Sequence, residues 1–165
     1  MTKTRSTLVA LGLVLLLMLV LVPAATAASG RTAVSGTWYW EGTLAETMLL
    51  PNGGEIIFHA EENGWWTGGL SGTSFDTFHA VSQPKGEDDW LAIGTLWVNF
   101  EGTVNGVAGK MLMRVNFADR GDGFMDGHWS IVKGWDGLEG ASGQGTWIIF
   151  YEDAAATYSG VVKMK

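Results

Sequence analysis

Residues 90–118 read WLAIGTLWVNFEGTVNGVAGKMLMRVNFA, and this stretch decides the fold class. Leu96, Val98 and Phe100 alternate with Thr95, Trp97 and Asn99. Further on, Met111, Met113, Val115 and Phe117 alternate with Leu112, Arg114 and Asn116. A period of two over such lengths belongs to a strand with two distinct faces, not to a helix. Between the runs sits Asn105-Gly106, a pair that supplies the positive φ angles of a tight hairpin.

The same grammar extends in both directions. Short runs rich in Val, Ile, Thr, Phe, Tyr and Trp predict strands over Thr37 to Leu50, Glu55 to Ala60, Gly69 to Val81, Trp90 to Val104, Val107 to Ala118, Gly123 to Val132, Gly145 to Glu152 and Thr157 to Met164. Pro51-Asn52-Gly53-Gly54, Asn63-Gly64, Asp122-Gly123 and Asp136-Gly137 read as turns. Seven or eight strands at this spacing suggest a sandwich or a barrel. Glycines inside strands, at Gly42, Gly72, Gly94, Gly102, Gly109 and Gly127, favour the barrel, because glycine there marks bulges and bends at barrel corners. The expected fold is all-β, a single closed antiparallel barrel of about eight strands.

The chain has 165 residues, enough for one domain. Its start is different in kind. Lys3 and Arg5 precede Leu8 to Val22, an unbroken apolar run with one glycine, and then Pro23 and Ala25-Thr26-Ala27. This order is that of a secretory signal, and the run falls short of the roughly 20 residues of a membrane span. Residues 1–27 are therefore expected to be a signal peptide cleaved after Ala27, 28–35 a short linker and 36–165 the barrel. The expected location is secreted or otherwise extracytoplasmic, with a membrane as partner only if the signal is retained as an anchor. A chain without cysteine carries no lipid on a cysteine and no disulfide, so packing and backbone hydrogen bonds must hold it.

Without Lys3 and Arg5 the ten basic residues become eight, against 17 acidic, a net charge of −9. Such a surface repels phosphate backbones and offers no polybasic patch, which excludes nucleic acid as a partner.

From Gly94 onward the spacing becomes specific. Phe100-Glu101-Gly102-Thr103-Val104-Asn105-Gly106 is followed by Gly109-Lys110-Met111 and Asp126-Gly127-His128-Trp129-Ser130-Ile131-Val132. The glycine-rich segment Gly134 to Gly145, with Gly137-Leu138-Glu139-Gly140-Ala141-Ser142-Gly143, comes next. This half of the chain resembles a bacterial family of uncharacterised domains with an allene oxide cyclase-like barrel, whose superfamily also holds the plant dirigent proteins. The resemblance implies an eight-stranded barrel with a central cavity. Dimers and trimers occur among such barrels, so it also implies homo-oligomerisation. It carries no cyclase activity with it.

The residues themselves leave several chemistries open. Arg114 and Asn116 lie mid-strand, opposite the methionines; facing a lumen they would be the convergent polar groups of a ligand pocket, and facing solvent they would be ordinary surface. Trp97 shares that parity. His128 could serve as an acid or base near neutral pH or as a structural histidine, and Glu101 and Glu41 could be buried acids or solvated carboxylates. Arg114, Asn116, His128, Glu101 and Trp97 are the candidate ligand-binding set. His59, His79 and His128 have no paired spacing, and Asp119, Asp122 and Asp126 lack the ligand spacing of a calcium loop, so no metal and no cofactor is expected. The glycine run lacks the following helix of a phosphate loop, and Gly-x-Ser-x-Gly is absent. Three functions remain: a barrel binding a small apolar ligand in its lumen, an isomerase or cyclase of the same fold, and a structural or glycan-binding surface module using Trp65, Trp66 and Trp135.

Overall fold

The computed structural model describes residues 30–86, 90–150, 152–153 and 155–165; the expected signal peptide lies outside them. Eight strands follow one another: β1 (Arg31–Leu49), β2 (Glu55–Gly68), β3 (Leu70–Pro84), β4 (Trp90–Val104), β5 (Val107–Asp119), β6 (Phe124–Asp136), β7 (Ser142–Phe150) and β8 (Ala156–Lys163). Each pairs antiparallel with the next, and β1 pairs with β8, so the sheet closes as a barrel. The all-β, eight-stranded closed architecture is the one expected. Asn105 and Gly106 make the β4–β5 turn with φ of 49° and 85°, which is why that hairpin is so tight.

Of the boundaries that differ from the sequence reading, two bear on the site. β1 begins at Arg31, inside the stretch read as linker, because Arg31 to Trp38 has a partner in β8, from Lys163 back to Ala156. Asn63-Gly64 is no turn: both residues lie within β2, paired with Phe75 and Ser74 of β3.

The faces sort cleanly. Leu96, Val98, Phe100, Met111, Met113 and Val115 are buried in the lumen, while Asn99, Arg114 and Asn116 are exposed. The interior glycines act mainly through space rather than as bends. Trp129 of β6 lies across β7 and β8: a Cβ on Gly160 would come within 2.4 Å of its ring, and one on Gly145 within 2.6 Å. Phe117 lies over Gly94 in the same way, at 2.4 Å. Gly42 differs. Its φ of 72° and the register shift between Glu41 and Leu44 make it part of a bulge, with open space where a side chain would be.

The end that carries the β2–β3, β4–β5 and β6–β7 turns is packed shut. Val34, Leu70, Phe100, Val104, Met111 and Val162 fill it. Leu138 folds in from the β6–β7 turn and is fully buried over Gly134 and Gly109. Tyr158 ties the β2–β3 turn to this core: its hydroxyl accepts from the Leu70 N–H at 2.7 Å and donates to the Thr67 carbonyl at 2.8 Å.

Gly160→Ala should therefore destabilise the barrel by about 1–3 kcal/mol in denaturant unfolding, since the Trp129 ring has nowhere to go. Gly86→Ala, with open space around it, should stay within about 0.5 kcal/mol. Equal costs at the two sites would show that ring-over-glycine contact is not what the interior depends on.

Candidate functional site

The opposite half of the lumen is not filled. A cavity of about 300 Å³ lies there, walled by Trp38, Trp40, Phe78, Leu96, Phe117 and Trp147, with Thr43 and Glu62 as its polar members. The rings form a continuous chain. Trp38 stacks on Trp40 at 4.9 Å and meets Trp147 edge-on at 6.1 Å; Phe117 lies 6.4 Å from both Trp147 and Phe78. β1 pairs with β8 only as far as Trp38↔Ala156, and beyond that its ladder runs to β2 alone.

Two carboxyls face this lumen from paired strands. Glu62 of β2 and Asp76 of β3 are direct cross-strand partners, 5% and 0% exposed. Burial in apolar surroundings pushes Glu62 up to about 7, partly opposed by a hydrogen bond from the Thr43 hydroxyl at 3.4 Å. Burial pushes Asp76 up to about 8. The Ser74 hydrogen bond opposes this, the nearby Glu62 charge adds to it, and the Trp38 indole opposes it slightly.

A short relay fixes Asp76. The Trp66 indole N–H donates to Ser74 Oγ at 2.9 Å, and that hydroxyl donates to Asp76 Oδ2 at 3.0 Å. Gly64 makes the convergence possible, since a Cβ there would lie 2.4 Å from Trp38 Nε1, 2.5 Å from Ser74 Oγ and 2.9 Å from Asp76 Oδ2. Asp76 Oδ1, Trp38 Nε1 and Trp147 Nε1 are buried without a well-formed hydrogen bond. Unpaired groups of this kind cost about 1–3 kcal/mol each in a dry interior.

The residues expected to bind a ligand are elsewhere. Arg114, Asn116, His128, Glu101 and Trp97 all have outward parity, because the methionine face of β5 turns inward and fixes the opposite face as exterior. The register pairs Trp97 with Arg114, and Asn116 with both Thr95 and His128. Asn116 and His128 line a shallow outer groove with Thr146 and Ser159. Glu101 is exposed and ion-paired to Lys110 at 3.1 Å, and Glu41 is exposed. Trp65 and Trp135 are also outside, but on β2 and β6, four strands apart in a ring of eight; Trp66 is inside. They form no shared platform. Among the described residues no cluster of three metal-ligating side chains exists, and Asp126 is instead paired with Arg120.

Glu62 and Asp76 were missed by sequence reasoning. A signal exists: Ala60, Glu62, Gly64 and Trp66 alternate, as do Ser74, Asp76, Phe78 and Ala80. Reading Asn63-Gly64 as a turn broke the first series, and aromatic residues on both faces of β3 blurred the second.

No protein-family model matches the chain, and no curated protein matches it. Among solved structures it is similar to a protein of unknown function from the DUF3224 family of Shewanella oneidensis MR-1, with a TM-score of 0.64 and 16% sequence identity over 82% of this chain and 98% of that one. At this identity the likeness is one of fold.

Both acids hold their protons to higher pH in the barrel than in the unfolded chain. The stability this gives is fully present below about pH 4, where both states are protonated, and is lost as pH rises through about 7 and 8. Thermal melting should therefore fall between about pH 5 and pH 9, and Glu62→Gln combined with Asp76→Asn should flatten that fall. An unchanged slope in the double variant would mean that the pair is not the source.

Proposed function

We propose that this protein works outside the cytoplasm as a barrel of the allene oxide cyclase-like kind that binds a small, largely apolar molecule in the open half of its lumen. The observation that carries this reading is the aromatic-walled cavity of about 300 Å³, at the lower edge of the roughly 300–1,000 Å³ range of ligand pockets. A core built only for stability would fill that space, since a cavity of this size forfeits packing energy. The barrel instead fills one half with Phe100, Leu70, Met111 and Leu138 and leaves the other open.

An isomerase or cyclase of the same fold is a second reading. The facing Glu62 and Asp76 favour it, because two buried carboxyls in one apolar site can hold a proton between them and act as acid and base.

Indole and naphthalene, added to the purified protein, should quench or shift its tryptophan emission and raise its Tm. Ala80→Leu, which pushes a larger side chain into the cavity wall, should abolish the response while the protein stays folded. Arg114→Ala, on the outer face, should leave it unchanged. Binding that survives Ala80→Leu but falls in Arg114→Ala would move the site to the exterior.

A further inference from the structure

The cavity holds an unbalanced polar set. Glu62 lines it, its cross-strand partner Asp76 is fully buried next to it, and no described basic side chain pairs with either; the ion pairs His59–Glu61, Lys110–Glu101 and Arg120–Asp126 all involve outer-surface residues. The other titratable groups with inward parity include Glu55, half-buried at the start of β2, Asp119, at the rim and bonded to the Gly121 N–H, and Tyr158, committed to Leu70 and Thr67. β1, β4, β6 and β7 turn only apolar, aromatic, glycine or hydroxyl side chains toward the pair. Asp76 is fully buried, and its Oδ1 has no well-formed hydrogen bond, the Trp38 indole contributing only a weak one. A buried carboxyl pair without a base, one member of it on the cavity wall, is completed by a ligand that brings positive charge and N–H groups.

The walls fit the same ligand. Aromatic faces are electronegative and attract a cation within about 6 Å of the ring centre, most strongly for tryptophan. Trp38, Trp40 and Trp147 supply three such rings beside Glu62, with Phe117 and Phe78 continuing the chain. A purely apolar ligand would use the rings and leave the carboxyls idle.

We infer that the ligand of this lumen is a small aralkyl amine, bound as its ammonium ion with the charge against Glu62 and the apolar part among the Trp38, Trp40 and Trp147 rings. This rests on the lumenal-binding reading and adds to it the charge of the ligand. An ammonium ion stabilises the ionised carboxyls, so its binding drives a proton off the pair.

The test is calorimetric titration of the protein with 2-phenylethylamine and with 2-phenylethanol, its neutral counterpart of nearly equal shape. The amine stays protonated up to about pH 9, so any change between pH 6 and 8.5 reports the protein. The amine should bind on the order of tenfold tighter than the alcohol at pH 8.5, and lose that advantage at pH 6. Titrations at pH 7.5 in buffers of different ionisation enthalpy should show release of roughly one proton for the amine and none for the alcohol. Glu62→Gln, nearly isosteric, should remove both the preference and the proton release while the alcohol still binds. Equal affinities without proton release, or a preference that persists in Glu62→Gln, would overturn the amine and leave lumenal binding standing. So would binding of indole or naphthalene with no binding of the amine. Failure of every apolar probe would overturn the lumenal reading, and the amine with it.

Discussion

Ring volume against lumen radius governs this barrel. Eight strands enclose a space only just wide enough for side chains to fill, and this chain turns Trp38, Trp66, Trp129 and Trp147 into it. Each large ring must lie flat on the wall, and it can do so only where the neighbouring strand offers no Cβ. Trp129 over Gly145 and Gly160, and Phe117 over Gly94, are that solution repeated. Glycine in a strand weakens it locally; here the ring that covers the glycine returns buried apolar area and shields the backbone hydrogen bonds from water. The high glycine and tryptophan contents of the sequence are thus one feature rather than two.

That solution is applied unevenly along the barrel axis. In the closed half the rings, Leu138 and the Tyr158 hydroxyl network leave little unsatisfied. The open half keeps two buried acids, three polar atoms without a well-formed partner, and a void. Replacing such groups with packed apolar side chains is commonly neutral or stabilising. The asymmetry is what a binding chamber on a rigid base requires: the packed half carries the stability, and the open half is held in shape by the sheet around it.

Period-two alternation in Trp90 to Ala118 was enough to give strand, face and hairpin, because both faces there differ sharply in polarity. Closure followed from strand number and in-strand glycine. Which face was the lumen did not follow. Arg114, Asn116 and His128 sit beside buried methionine and tryptophan in sequence, and parity is relative until one residue is fixed inside. The acids were harder still. Glu62 lies one residue before an Asn-Gly pair that elsewhere in this chain is a hairpin turn, at Asn105-Gly106, but here runs straight. The local dipeptide was identical, and the tertiary demand for space at Gly64 decided its conformation.

The hydroxyl contact to Glu62 in the cavity traces to one irregularity. At Gly42 β1 inserts an extra residue, so that Gly42 and Thr43 together oppose Glu62. A bulge increases local twist and bends the strand that carries it. Four residues earlier β1 has already lost its β8 partner, and past the bulge it continues to Leu49 against β2 alone, with Leu44, Met48 and Leu49 exposed. The same insertion turns the Thr43 hydroxyl inward, onto Glu62. A straight β1 would send Thr43 outward by parity and leave Glu62 without its hydroxyl partner. The chemistry of the site is therefore written in the backbone: the bulge is what supplies the hydroxyl hydrogen bond to the buried carboxyl.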